Sequence, residues 1–321
     1  NKISIIGSDY LQPWKNEEGK STSTYGDYQG SSLSIIAGTD IEKVLLPNGS
    51  TNITTGSNST YIVGNTNGPI TANVNSIEIG IKSDGNGEDT INLSQTSTKW
   101  GSDVIARNTG NNGNGATSEE IKTMSNYLKH DVSLDLKEGV DTVNGTSDND
   151  ALFLQNFSTS GNGLWFQDAG GQSDGARLSG ISKINLLNGN DFLDLTSTKT
   201  SLVNETIEIN SGSGNDILWL SDANEIIDTG DGDDQITLNG GSDNLKTGAG
   251  SDIITITNYK GNLTITDFDK SKDKFKFMNT SQKISTNGNK VTVDNSSGEY
   301  IITLSNQSDL TDISSYATFL S

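Results

Sequence analysis

The sequence contains no cysteine and a single histidine, His130. Without cysteine, neither a disulfide scaffold nor a thiolate metal site can form. One histidine excludes a zinc site built from several imidazoles, and we interpret His130 as a surface residue rather than the base of a catalytic triad. The pattern singles out no pair of acidic residues for glycoside hydrolysis. We therefore expect that the chain is not an enzyme.

Positive charge and long apolar runs are also scarce. The 321 residues include 21 Lys and Arg against 41 Asp and Glu, which gives a net charge of −20. This charge repels phosphate, so we expect no nucleic-acid partner and favour a multivalent cation. No apolar run approaches the roughly 18 residues of a membrane span. The chain shows no amino-terminal signal peptide and begins with Asn1, so we expect it to be part of a longer protein.

The apolar residues that are present follow a regular pattern. Segments such as "SIEIGI", "TIEIN", "IITIT" and "YIITL" alternate apolar and polar residues between turns rich in Gly, Asn and Asp. This period of two predicts an all-β chain rather than a disordered one. The segment "ATSEEIKTMSNYLKHD" instead has helical spacing and a capping pair at Thr117 and Glu120. We expect one short helix over 119–129, inside an insertion at 107–130.

A nine-residue unit is repeated five times in tandem from residue 211 to residue 255. The units are SGSGNDILW, LSDANEIID, TGDGDDQIT, LNGGSDNLK and TGAGSDIIT. Each has a carboxylate at its sixth position and an aliphatic residue two positions later. Weaker units occur upstream at 84–92, 136–153 and 186–194. Such a repeat is typical of a coiled β architecture rather than of a flat hairpin sheet.

The spacing of the unit predicts its geometry. A turn of about six residues and a strand of about three form half a coil, so residues eighteen apart stack in neighbouring coils, about 4.8 Å from each other. Stacked carboxylates repel each other unless cations lie between them. Glycine allows the turn carbonyls to approach an ion, and carboxylate and carbonyl oxygens are the ligands of Ca²⁺. The sequence predicts a parallel β-roll or β-solenoid with several calcium ions in its turns.

The candidate calcium ligands are the carboxylates and glycines of these turns. They are Asp216, Asp234, Asp243, Asp252, Gly212, Gly214, Gly230, Gly232, Asp231, Gly240, Gly241, Gly248, Gly250, Asp191, Gly189, Asp89, Gly85, Gly87 and Asp150. Glu225 replaces the aspartate of the second unit, and we interpret it as a structural substitute without a full site. We interpret the acidic segment 267–273 as a solvated turn, because it lacks the glycine and the final Glu of an EF-hand loop.

The tandem units resemble the repeats-in-toxin (RTX) nonapeptide G-G-x-G-x-D-x-U-x. Units 211–219, 229–237 and 247–255 match it best. The segment "NLTITDFDKSKDKFKF" is similar to the segment that caps such rolls, and "DLTDISSYATFLS" resembles an uncleaved carboxy-terminal signal for type I secretion. The resemblance implies export of the unfolded chain through the type I secretion machinery, followed by calcium-dependent folding outside the cell.

The repeats, together with the resemblance, divide the chain into four expected segments. We expect an amino-terminal β segment or small domain at 1–75, a degenerate solenoid at 76–210, the calcium roll at 211–255, and capping strands with the secretion signal at 256–321. The chain is then most similar to the carboxy-terminal part of a bacterial surface-layer protein. Such a part would direct folding, export and assembly on the cell surface.

The expected partners follow from this interpretation. They are calcium, further copies of the chain in a surface lattice, the secretion machinery and, as a candidate, an outer-membrane polysaccharide. Two alternatives stay open. The chain could be the calcium module of a secreted adhesin, or the export and folding tail of a secreted enzyme or toxin.

Overall fold

The structure of the chain is a computed structural model. The residues that it describes are 3–6, 33–36, 43–46, 50–55, 60–64, 68–75, 78–83, 87–94, 128–129, 131–136, 139–153, 178–179, 181–196, 205–257, 260–278, 283–295, 298–310 and 313–319. Almost all of the tandem repeat region and the segment after it is therefore described, whereas the first half of the chain is described mainly at its strands.

The described residues form an all-β fold, as the alternating pattern predicts. The strands are β1 (Ile3–Ile6), β2 (Leu33–Ile36), β3 (Lys43–Leu46), β4 (Thr51–Thr54), β5 (Thr60–Gly64), β6 (Ile70–Asn73), β7 (Glu78–Ser83), β8 (Thr90–Asn92), β9 (Leu128–Lys129), β10 (Asp131–Leu136), β11 (Asp141–Asn144), β12 (Asp150–Phe153), β13 (Leu178–Ser179), β14 (Ile181–Asn185), β15 (Phe192–Asp194), β16 (Thr206–Asn210), β17 (Ile217–Trp219), β18 (Asn224–Asp228), β19 (Gln235–Leu238), β20 (Gly241–Lys246), β21 (Ile253–Ile256), β22 (Gly261–Ile265), β23 (Lys274–Phe277), β24 (Lys283–Asn287), β25 (Lys290–Asn295), β26 (Gly298–Leu304) and β27 (Ala317–Phe319). In β16, Ile207 and Ile209 are buried and Glu208 between them is exposed, which is the alternation that a half-buried strand requires.

Helical structure is nearly absent from these residues. The one helical element among them is a 3₁₀ turn, Ile313–Ser315. The last two residues of the predicted helix lie in β9, so the helix cannot extend to residue 129. The residues 119–127 of that prediction lie outside the described residues.

The chain divides into two compact units, of which the first comprises residues 1–146 and 153–183. One sheet of this unit has the strand order β1-β2-β4-β6-β8-β11, and another has the order β13-β10-β7-β5-β3. The pairs within both sheets are parallel. From β2 to β8, successive strands of the chain therefore alternate between these two sheets, which is the connectivity of a coil.

The second unit comprises residues 147–152 and 184–321. Its strands β16, β18, β20, β22 and β26 form one parallel series, and β15, β17, β19, β21, β23 and β27 form another. At the end of the first series, β26, β25 and β24 pair antiparallel. The parallel coil thus ends in a small antiparallel meander.

The register of the second unit confirms the eighteen-residue period of the coil. Ile217 lies beside Gln235, and Gln235 lies beside Ile253. In the other series, Ile227 lies beside Leu245. Each step equals two nine-residue units, so one coil contains two turns and two strands.

The core is a narrow stack of the aliphatic residues that follow the repeated carboxylates. Leu218, Ile236 and Ile254 are beside one another and fully buried, and the row continues with Phe275. Burying such a side chain contributes roughly 1.5–3 kcal/mol. Because each coil adds only a few of these residues, the turns must themselves contribute to holding neighbouring coils together.

The segment after the last repeat packs against the end of this stack. Phe268 stacks on Phe275 with ring centroids 4.8 Å apart and meets Tyr316 at 5.7 Å. Leu310 and Tyr316, within the segment that resembles a secretion signal, are buried. Since β27 also pairs with β23, the carboxy-terminal segment is part of the folded second unit.

Candidate metal centre

Glycine-rich turns connect the two strand series of the second unit and lie one above another. Gly230 and Gly232 have φ angles of 86° and 146°, values that glycine adopts far more readily than other residues. A Cβ atom on Gly230 would lie 1.8 Å from the carbonyl oxygen of Gly212, and one on Gly232 would lie 1.9 Å from that of Gly214. The glycines are therefore required both by the backbone conformation and by the close approach of the preceding turn.

The sixth residues of these turns form a single hydrogen-bonded series with Asp273, which follows the last repeat. We call this series the carboxylate column. Its members are Asp150, Asp191, Asp216, Asp234, Asp252 and Asp273. Oδ1 of Asp234 accepts the backbone N–H of Asp216 at 2.8 Å, and Oδ1 of Asp252 accepts that of Asp234 at 3.0 Å. From Asp191 to Asp273, each carboxylate thus uses one oxygen to join its coil to the preceding one.

The second oxygen of these carboxylates has a different environment. Oδ2 of Asp191, Asp216, Asp234 and Asp252 is buried and has no hydrogen-bond partner among the described residues. All four side chains are fully buried. A buried carboxylate oxygen without a donor is unfavourable unless a proton or a cation binds to it.

The electrostatics of the column follow from this burial. Burial raises the pKa of Asp216, Asp234 and Asp252 from 3.8 to about 7, although the hydrogen bonds that these groups accept lower it. For Asp191, burial and the nearby charges of Asp216 and Asp150 raise the pKa to about 9. The column favours any species that neutralises its charge.

A second, shorter column contains Glu225 and Asp243. Oδ1 of Asp243 accepts the N–H of Glu225 at 2.9 Å. Oε1 of Glu225 accepts the N–H of Ser221 at 2.9 Å and also its hydroxyl, whereas Oε2 is buried without a partner among the described residues. Burial, followed by the charge of Asp243, raises the pKa of Glu225 well above its usual range. The predicted division of the carboxylates into two stacks is therefore observed.

Some of the other candidate ligands lie in these stacked turns with the expected backbone conformation, and others do not. Positive φ angles are found at Gly189, Gly212, Gly214, Gly230, Gly232, Gly241, Gly248 and Gly250. Gly240 is buried at a φ outside that region, and Asp231 is exposed and outside the column. Gly87 and Asp89 lie in the first unit, and Gly85 and His130 lie outside the described residues.

The interpretation of 267–273 as a solvated turn is wrong for two of its three acids. Asp273 is buried and accepts the N–H of Asp252 at 3.1 Å, while Asp267 accepts the N–H groups of Thr247 and Gly248, both at 2.8 Å. Only Asp269 is exposed, as expected. The reason is that no further glycine-rich turn follows residue 252, so carboxylates from 267 and 273 satisfy the N–H groups of the last one.

Sequence reasoning also missed two ladders of side chains beside the column. The hydroxyl of Ser211 donates to the carbonyl of Thr229 at 2.9 Å, and the hydroxyl of Thr229 donates to the carbonyl of Thr247 at 2.7 Å. On the exposed side, Oδ1 of Asn215 accepts the N–H of Asp233 at 2.8 Å. The sequence does contain a signal for these ladders. Ser or Thr recurs at the first position of the nine-residue unit, and Asn, Asp or Ser recurs at its fifth position.

The donor set of these turns fits a hard cation. Among the described residues, no group of three or more His, Cys, Asp or Glu side chains could hold a metal ion. Each turn can therefore supply one or two carboxylates, and backbone carbonyl oxygens would have to complete the coordination. Ca²⁺ accepts such an all-oxygen set, whereas transition metals prefer imidazole or thiolate.

Comparison with protein-family models finds no match to the chain, and no curated protein matches it. In the described part of the chain, no helix is long and apolar enough to cross a membrane. Any functional assignment therefore rests on the turns and their carboxylates.

Proposed function

We propose that the chain is a calcium-dependent structural part of an exported bacterial surface protein. The observation that supports this most strongly is the set of buried carboxylate oxygens without a hydrogen-bond partner among the described residues, at Asp191, Asp216, Asp234 and Asp252. They recur once per coil, at the same position of each turn. A buried carboxylate oxygen without a partner in each coil indicates a cation that binds in each coil, rather than a single catalytic site.

The column carboxylates are the residues that would hold the ions. Each keeps Oδ1 on the N–H of the preceding coil, so that only Oδ2 is left for a cation. Calcium, when bound, supplies the positive charge that offsets the repulsion between neighbouring carboxylates. Glu225 and Asp243 provide a second place for the same chemistry on the other side of the coil.

This chemistry would couple folding to the calcium concentration. An ion that binds only the folded chain stabilises it by about 2.7 kcal/mol per site when its free concentration is 100 times the dissociation constant. Where calcium is scarce, the carboxylates must take up protons or repel one another, so the coil is disfavoured. Folding would then follow export, which fits the proposed type I route and an extracellular location.

We propose that copies of the chain assemble into a lattice on the cell surface, as in a surface-layer protein. A calcium module of an adhesin would fold with calcium but stay monomeric and bind a glycan. The folding tail of a secreted enzyme or toxin would fold and stay monomeric without binding one.

The experiment is a calcium titration of the chelator-treated chain. Far-ultraviolet circular dichroism and light scattering are recorded together at each calcium concentration. We expect calcium to increase the β signal and the melting temperature, and the particle size to grow with them. Folding without growth would leave calcium binding intact but reject the lattice. A chelator-treated sample with its full β signal and an unchanged melting temperature would reject calcium-dependent folding itself.

A further inference from the structure

Four neighbouring strands of the first unit present only threonine and asparagine on their outward side. The strands are β4, β6, β8 and β11, which pair parallel in this order. In each strand, the residues that point inward are buried and those between them are not. The outward residues, which we call the Thr–Asn face, are Asn52, Thr54, Thr71, Asn73, Thr90, Asn92, Thr142 and Asn144.

The register of the strands arranges this face in rows of identical side chains. One row contains Thr71, Thr90 and Thr142, and the other contains Asn73, Asn92 and Asn144. Nδ2 of Asn92 donates to Oδ1 of Asn73 at 2.9 Å, and Nδ2 of Asn144 donates to Oδ1 of Asn92 at 2.7 Å. The amides of the second row thus form a ladder that satisfies part of their hydrogen bonding and fixes their orientation.

The absence of charge distinguishes this face in a chain whose net charge is −20. In the second unit, by contrast, the outward side of β16, β18 and β20 carries Glu208 and an ion pair of 2.8 Å between Asp228 and Lys246. Copies of so acidic a chain repel each other, and the cores of protein interfaces contain few charged residues. On the Thr–Asn face, a second copy can approach without burying a carboxylate. Glu88, two residues before Thr90, is exposed at the border of the face, where an interface stays polar and hydrated.

A regular face of this kind is suited to packing on a copy of itself. In stacked sheets, rows of identical side chains interdigitate, and asparagine ladders add to the contact. Because the amides of the ladder already bond to one another, covering them leaves fewer groups unsatisfied, and their fixed side chains have less freedom to lose. A two-fold contact needs only one such face, since the same residues serve both copies.

We infer that the Thr–Asn face is a contact between two copies of the chain, packed face to face about a two-fold axis. The inference rests on the proposed assembly into a surface lattice, and it names a surface through which the copies meet. A second copy fits this face because it is uncharged and repetitive, whereas an ion or a charged ligand would require a charged group within it. One two-fold contact gives a dimer, so a lattice uses at least one further surface.

The test places a charge at the centre of the face and follows the particle size of the full chain in calcium by light scattering. In Thr90→Glu, carboxylates of the two copies would meet at the contact. We therefore expect the protein concentration at which particles grow to rise at least about tenfold. Asn244→Glu adds the same charge at an exposed outward position of β20 in the second unit and should leave this concentration unchanged. Equal effects of the two variants would overturn the inference, because the total charge would then explain both.

A second variant keeps the test decisive if Thr90→Glu does not fold, which circular dichroism in calcium would reveal. Asn52 is an exposed member of the face, so Asn52→Glu places its charge there without burying it in the monomer. Growth at the wild-type concentration in whichever of these two variants folds would overturn the inference, as would be found if the face bound a neutral polysaccharide instead. If the wild type folds in calcium and its particles do not grow, the proposed lattice fails as well.

Discussion

Replacing Asp234 by asparagine should change stability in opposite directions with and without calcium. The carboxylate lies in the middle of the column, accepts the N–H of Asp216 through Oδ1, and has a buried Oδ2 without a partner among the described residues. Asparagine is nearly the same size and keeps the Oδ1 acceptor. The substitution therefore removes the charge and leaves the packing almost unchanged.

The change in the free energy of unfolding without calcium follows from the pKa of Asp234. Burial raises the pKa of Asp234 from 3.8 to about 7, so that keeping the group in the fold at neutral pH costs about 4 kcal/mol. The asparagine avoids this cost but places an amide N–H₂ where Oδ2 lies, and a buried donor without a partner costs roughly 2 kcal/mol. We expect a net stabilisation of about 2 kcal/mol in chelator.

With calcium the sign reverses, because the variant lacks a charged ligand. Losing one ion at a free concentration 100 times its dissociation constant removes about 3 kcal/mol of stabilisation. This loss exceeds the gain of about 2 kcal/mol, so we expect a net destabilisation of about 1 kcal/mol in calcium. Urea unfolding at pH 7.5, in calcium and in chelator, measures both values, with Glu299→Gln as the control that should change neither by more than about 0.5 kcal/mol. Destabilisation by Asp234→Asn of the same size in both conditions would refute the reasoning, since the carboxylate would then be acting through its hydrogen bond alone.

Three further predictions concern pH and the turn backbone. In chelator, the free energy of unfolding should fall as the pH rises from about 4 to about 7, because the folded carboxyls with raised pKa hold their protons more tightly than unfolded ones; urea unfolding at several pH values checks this, and a flat profile contradicts it. Gly230→Ala should cost more than about 3 kcal/mol in thermal unfolding, because its Cβ would lie 1.8 Å from the carbonyl oxygen of Gly212. The control Gly298→Ala has a positive φ but open space, so it should cost only about 1 kcal/mol, and equal losses would exclude the steric argument. Leu187→Gly should stabilise by about 1 kcal/mol, because Leu187 has a φ of 77° and is 46% exposed, whereas Leu187→Ala should gain nothing; equal effects would contradict backbone strain.

The coil and its register could be predicted from the repeats because both depend on local spacing. A unit of nine residues with one turn and one strand leaves little choice of geometry, and the pairing of Ile217 with Gln235 and of Ile227 with Leu245 follows from it. The predicted helix does not include Leu128–Lys129, which form a strand, and the residues 119–127 lie outside the described residues. The calcium ions, the export route and the surface lattice stay predictions.

The candidate site was predicted only as far as the repeats extend. Asp216, Asp234 and Asp252 were identified because they recur at one spacing. Asp273 was misread because its segment has no turn glycines, and its role depends on lying next to the last repeat. A carboxylate that substitutes for a repeat cannot be recognised from its own neighbours in the chain.

By itself, the sequence determined which carboxylates stack, because a period of nine sets the length of each coil and turn glycines permit the close approach of neighbouring coils. The tertiary structure decided which oxygen of each carboxylate receives a backbone N–H and which is left buried without one. It also brought Asp89 and Asp141 together across 52 residues. The physical reason is that hydrogen bonding and burial depend on where the chain returns after an insertion, which no local pattern records.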